Sequence, residues 1–230
     1  MHSKIKIDKF LVAIILLALI VRLGIIWSQP VITPYFGTMT AIENAARNLV
    51  EGHGYATGNE KFTPFYQLPP GTSILLAGTY WIFGQYSYIY LRIFQAIIDS
   101  FGCLFIFLAG REFFGRRVGL ISAFLYAIWL PIAYLSTWPL HDALMPFITL
   151  VCLYFFVMGV RRNATKFYIL SGLFVGVGCY FQPTILFLPL FFGLGLFIYS
   201  LHKSNFMERV IDAVKATVIT MLMVMLVITP

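Results

Sequence analysis

"GTSILLAGTYWIFG", residues 71–84, is the stretch whose reading decides the fold. It is apolar enough to enter a bilayer, yet its fourteen residues fall short of the about 20 that a spanning helix needs, and of the about 17 that mark the lower edge. That length suits a helix that lies along the membrane or re-enters it. The stretch before it, "ARNLVEGHGYATGNEKFTPFYQLPPG" (46–71), is the longest in the chain that suits water. It closes on Pro69-Pro70-Gly71, and the two prolines hold the backbone extended up to the point where the apolar helix can start.

Outward from this stretch the chain is mostly apolar. Of its 230 residues 60% are hydrophobic, 17% are aromatic and only 11% are charged, and long apolar runs follow one another to the last residue. This is the composition of an all-α polytopic membrane protein, and it excludes a soluble domain. The net charge of +7 does not indicate nucleic acid, because the sixteen Lys and Arg sit in small groups between apolar runs and form no continuous basic face. Cys103, Cys152 and Cys179 lie inside apolar runs with no CxxC spacing, as packing residues do. The first run, 10–27, is long for a signal peptide, and "WSQPVITP" after it has no small-x-small cleavage site, so it reads as an uncleaved helix.

Runs of spanning or nearly spanning length follow at 89–110, 118–135, 143–160, 167–181, 184–200 and 210–229, making about seven crossings with the first. Charge bias tests whether 71–84 is an eighth. If it does not cross and the N-terminus is cytoplasmic, the inside holds Lys4, Lys6, Lys9, Arg111, Arg116, Arg117, Arg161, Arg162, Lys166, Lys203, Arg209 and Lys215. Only Arg47 and Lys61 then lie outside, with Arg22 and Arg92 at membrane depth. If it crosses, the bias inverts to three inside against eleven outside, against the positive-inside rule. A rival with eight crossings and an outer N-terminus restores the bias at eleven to three, but it must translocate "KIKIDK" and span with fourteen residues. The preferred topology places 29–88 outside as one long loop with a short apolar helix at its end, and 136–142 outside as a second loop. The whole chain, 1–230, reads as a single transmembrane module. The "NAT" sequon at 163–165 then falls on the cytoplasmic side, and Gly172 with Gly176 reads as a helix-packing pair.

Polar residues are costly within a bilayer, so function is sought where they gather. Residues 40–51 read as a helix with Thr40 and Glu43 as a capping box and with Glu43, Arg47 and Glu51 at i,i+4 spacing. Gly52 or Gly54 ends it, and His53 is either solvated or a proton carrier or ligand. Asp142, in "STWPLHDALMPF", is either a helix N-cap or a functional carboxylate at the mouth of the bundle, with His141 beside it. Arg92 and Asp99 lie two turns apart on one face of a span. Arg92 there snorkels or binds a lipid phosphate, and Asp99 pairs with another polar group.

Taken in order, "AARNLVEGHGY", "PPGTSILLAGTYWIFG", "LRIFQAIIDSFGCLFIFLAGREFFGRRVGLISAFLYAIWLP" and "HDALMPFITLVCLYFF" resemble the N-terminal half of the C-type (GT-C) glycosyltransferases of the protein O-mannosyltransferase and aminoarabinose transferase type. The similarity covers residues 10–230. It implies a large first extracytoplasmic loop with juxtamembrane helices, and an inverting transfer of sugar from a polyprenyl-phosphate donor to an acceptor hydroxyl at the outer face of the membrane. The acceptor would be a glycan, lipid or protein. A carboxylate serves as general base, here Asp142 or Glu43, and cations, here Lys61 and Arg92, hold the donor phosphate. Thr38, His53, Tyr55 and His141 would line the pocket. Asp142 matches the acidic residue that many members carry at the start of this span. Thr38 stands where members usually have an Asp, about eight residues before the alanine of "ARN". Relatives usually continue past the final "VMLVITP" with a Trp, an Arg-Asn pair and more helices, so the chain is expected to be the N-terminal half of a longer protein or a short member of the family. The expected setting is a bacterial inner membrane, with lipid around the bundle and no nucleic-acid partner. No particular cofactor is implied, and a divalent metal is left open. The alternative to a transferase is a non-catalytic protein of the same fold that binds a polyprenyl lipid or a membrane partner; a lipid-sugar translocase is a third.

Overall fold

The computed structural model describes residues 8–29, 37–58, 63–84, 86–201 and 206–229. Its helices are α1 (Lys9–Ser28), α2 (Gly37–Val50), α3 (Gly71–Phe83), α4 (Tyr88–Ser100), α5 (Gly102–Phe114), α6 (Arg116–Ile128), α7 (Leu130–Leu135), α8 (Met145–Arg162), α9 (Thr165–Cys179), α10 (Leu188–Ser200) and α11 (Phe206–Ile228). A two-stranded antiparallel hairpin, β1 (Ala56–Thr57) and β2 (Thr63–Pro64), stands between α2 and α3. The all-α, multi-pass architecture is therefore observed. Among the described residues four helices are long and apolar enough to cross a membrane: Lys9–Ser28, Tyr88–Phe114, Met145–Arg162 and Val210–Ile228. The stretches 167–181 and 184–200, read above as spans, form shorter apolar helices. The stretch 118–135 is divided between α6 and α7 at Trp129, with Pro131 in the first turn of α7. Proline has no N–H to continue the ladder, and its ring clashes with the carbonyl four residues back.

The chain separates into two compact units, Met1–Phe147 and Ile148–Pro230. In the first, α1 packs against α4, α5, α6 and α7. Three polar contacts fix α1 at three heights. At its start Asp8 caps the helix by accepting from the Phe10 amide, and it is bound by Arg116 Nε at 2.7 Å. In its middle the fully buried Arg22 donates from Nε to Asp99 Oδ2 at 2.7 Å, while the Tyr126 hydroxyl donates to the other oxygen at 2.6 Å. At its end the Gln29 carbonyl accepts from Arg92 Nη1 at 2.6 Å. One end of the unit thus carries Asp8 and the α5–α6 turn. The opposite end carries the exit of α1, the start of α4 and the 136–142 turn. Gly102 makes the central cluster possible: a Cβ there would stand 2.8 Å from the Tyr126 ring, so any larger residue would push the ring off Asp99.

In the second unit α9 packs on α11 and α10 on α11. Gly172 and Gly176 form the close approach expected of them, since a Cβ at the first would lie 2.5 Å from the Thr220 carbonyl oxygen and at the second 2.6 Å from Val227. Phe156, Tyr168 and Ala216 form the buried core beside them, with Phe192 packed against it. Cys103, Cys152 and Cys179 are free thiols, as their sequence setting implied.

Candidate functional site

The loop between α1 and α4 is built on α2. Its helix starts at Gly37, so Thr40 lies one turn inside and does not cap; the expected Thr40–Glu43 capping box is corrected accordingly. Met39, Ile42, Ala45 and Ala46 form the buried face, and Ile42 and Ala46 pack with Leu76, Ala77 and Tyr80 of α3 and with Leu91 of α4. Gly52, and not Gly54, closes the helix. It adopts a positive φ of 84°, its amide bonds the Leu49 carbonyl, and the His53 amide returns to the Asn48 carbonyl at 2.8 Å, which is a Schellman ending. His53 is therefore placed by its backbone, with Nδ1 3.7 Å from the Glu51 carboxylate. The buried Asn48 amide donates to the carbonyls of Ala56 and Gly58 and so ties the hairpin to α2. Tyr55 packs its ring on Phe65 and donates to the Leu68 carbonyl; burial raises the pKa of its hydroxyl.

The two candidate bases sit in different surroundings. Glu43 is engaged on both oxygens: Oε1 accepts from Arg47 Nε at 3.0 Å and Nη2 at 2.6 Å, and Oε2 accepts from the Tyr88 hydroxyl at 2.5 Å. Arg47 also lies 4.4 Å over the Tyr86 ring, which meets Tyr80 edge-on. Burial lowers the Arg47 pKa, but the bond and charge of Glu43 outweigh it and leave it raised. This group clasps α2 to the start of α4. Asp142 lies in the turn before α8, its side chain 41% exposed against 16% for Glu43. Its Oδ2 is 3.5 Å from His141 Nε2, and its carbonyl accepts from the Met145 amide. His141 Nδ1 is buried without a hydrogen-bond partner.

Arg92 joins that turn to α1 and α4. It is 1% exposed, donates from Nε to the Thr137 carbonyl at 2.7 Å and from Nη1 to Gln29, and keeps Nη2 buried without a partner. It does not snorkel. Its place on α4 puts it one turn from Gln95 and two from Asp99, all three buried on one face. Gln95 was legible from that i, i+3, i+7 spacing and was missed, as were Arg22 as the partner of Asp99 and Tyr88 as the partner of Glu43. Thr38 is the second residue of α2 and half-buried. Lys61 lies outside the described residues. Among the described residues no group of three or more His, Cys, Asp or Glu side chains gathers as a metal site.

Comparison with solved structures finds this fold in the archaeal oligosaccharyltransferase AglB from Archaeoglobus fulgidus, determined in complex with an inhibitory peptide and a dolichol-phosphate. The TM-score is 0.69 at 15% sequence identity over 95% of this chain, which spans 29% of the length of AglB. No curated protein matches the sequence. The family model described as dolichyl-phosphate-mannose-protein mannosyltransferase matches residues 67–230. The match takes in most of the chain, from the entry of α3 through Arg92 and the His141–Asp142 turn, and by it the chain belongs to the dolichyl-phosphate-mannose-protein mannosyltransferase family.

Proposed function

We propose that the chain transfers a sugar from a polyprenyl-phosphate donor to an acceptor hydroxyl, with Asp142 as general base and the charge of Arg92, buried behind the same turn, steadying the donor phosphate. The observation that carries this is the turn 136–142. It offers a half-exposed carboxylate beside a histidine, and its Thr137 carbonyl holds a buried guanidinium whose third nitrogen is unpartnered. The acceptor oxygen attacks the anomeric carbon as the bond from that carbon to the phosphate oxygen breaks. Asp142 takes the hydroxyl proton, and the pair of electrons leaves on the polyprenyl phosphate, where Arg92 offsets the new charge. One displacement inverts the anomeric centre. Lys61 is the second cation of the proposal, and Thr38, His53, Tyr55 and His141 its pocket. Residues 29–88 and 136–142 face the outside of a bacterial inner membrane, and the basic end with Arg116 faces the cytoplasm with the N-terminus. The family name favours a protein acceptor; glycan and lipid acceptors are the alternatives. The test uses the full chain in lipid nanodiscs with polyprenyl-phosphate mannose. The carrier should be released only when acceptor is present, and Asp142→Asn should remove the release. Full turnover in that variant would exclude Asp142 as base.

A second reading rests on Thr38, a half-buried hydroxyl that cannot act as a base near neutral pH, at the position where the family resemblance implies an Asp. On that reading the chain binds a polyprenyl lipid or a membrane partner without turnover. Turnover that appears only with Thr38→Asp would establish it.

A further inference from the structure

The α2–hairpin region carries an open groove that the proposed transfer does not use. Its volume is about 600 Å³, within the range of small-molecule sites, and it runs between one face of α2 and the strands β1 and β2. On the helix side Gly37, Thr40 and Asn44 recur at i, i+3 and i+7, so the two polar side chains and the bare glycine line one face of α2. On the hairpin side are Thr63, Tyr66 and Gln67, and the Tyr66 ring is 86% exposed. Among the described residues no charged side chain lines it.

We propose that this groove is a saccharide-binding site that takes a neutral sugar unit of the acceptor. The inference rests on the reading of the chain as a sugar transferase. A neutral sugar presents neighbouring hydroxyls that both donate and accept. Carboxamides and hydroxyls answer both needs at once, which charged groups do not. An exposed tyrosine ring adds a flat apolar surface for the C–H face of the sugar. An anionic headgroup would find no cation on the described walls. An extended peptide is held chiefly by main-chain bonds along a strand edge. Here neither strand is longer than two residues, and the proline of Thr63–Pro64 has no N–H to give.

The test measures binding of methyl α-D-mannopyranoside to the full chain in lipid nanodiscs by saturation-transfer NMR, with no sugar-headed detergent present. A Cβ at Gly37 meets nothing within 4 Å, so Gly37→Leu fills the groove without disturbing a packed neighbour. Binding should be lost in Gly37→Leu and weakened about tenfold in Asn44→Ala, as expected for one lost hydrogen-bonding side chain. It should be unchanged in Asp8→Asn, at the opposite end of the unit. Binding and carrier release are read separately, so a sugar that binds wild type and is lost in Gly37→Leu supports the groove even if no carrier is released. Absence of binding in wild type, or equal binding in wild type, Gly37→Leu and Asn44→Ala, overturns the proposal. So does a sugar-free Ser/Thr-rich peptide that binds wild type, is lost in the same two variants and is not displaced by the sugar.

Discussion

Glu43 and Asp142 are carboxylates of similar promise in sequence and of opposite character in the folded chain. Glu43 spends both oxygens on Arg47 and Tyr88, and through them holds α2 to α4. Among the described residues Asp142 keeps one weak neighbour, His141 at 3.5 Å, and its side chain is 41% exposed. A base must have a lone pair free to meet the acceptor proton. On the proposed reading Glu43 serves stability and Asp142 chemistry, and each assignment can be broken separately.

The largest expected effect is on turnover. Asp142→Asn should lower the rate of carrier release by roughly 10²–10⁴-fold, the usual worth of a positioned base, with the unfolding transition unmoved. Comparable loss in Glu43→Gln with Asp142→Asn near wild type would reverse the assignment. Next comes Asp99, a third carboxylate that neither region uses. Asp99→Leu strands the buried Arg22 and should destabilise the first unit by about 3–5 kcal/mol, whereas the double variant Arg22→Met/Asp99→Leu should recover most of it. Thermal unfolding in nanodiscs decides this, and a single variant as stable as the double would remove the ion pair as the reason these groups are buried.

Glu43→Gln should cost less, about 1–2 kcal/mol, because Arg47 is partly solvated and the amide can still accept one bond. It should show as faster proteolytic cleavage near Gly52–Gly54, while carrier release per folded molecule stays close to wild type. The smallest effect belongs to the opposite end of the unit. The bond from Arg116 holds the Asp8 carboxyl below its ordinary pKa of 3.8. A depressed carboxyl contributes above its unfolded value and stops contributing as pH falls through the lower, folded one. As pH falls from about 5 through the ordinary carboxylate range and below it, the wild type should therefore lose slightly more stability than Asp8→Asn, which keeps the cap without the charge. Parallel losses in the two proteins would show that this exposed pair contributes nothing measurable.

Much of the architecture was legible because it depends on local, additive properties. The water-suited loop, the short helix after Pro69-Pro70-Gly71 and the Gly172–Gly176 approach all follow from composition, length and spacing along a few turns. The ends of elements were less legible. Thr40 looked like a cap, but the helix runs on to Gly37; the run 118–135 looked continuous, but Pro131 divides it.

The sequence by itself determined that this is a helical membrane protein with one long polar loop, and it carried the ordered motifs of its family, because apolar length and charge placement decide what a segment can do in a bilayer. Tertiary structure alone decided which polar groups are occupied. Glu43 meets Tyr88 across 45 residues, Arg92 meets Thr137 across 45, and Arg22 meets Asp99 across 77. Hydrogen bonds reach only about 3 Å, so such partners exist only once helices distant in sequence have packed. Whether a carboxylate is a clasp or a base is a property of that packing.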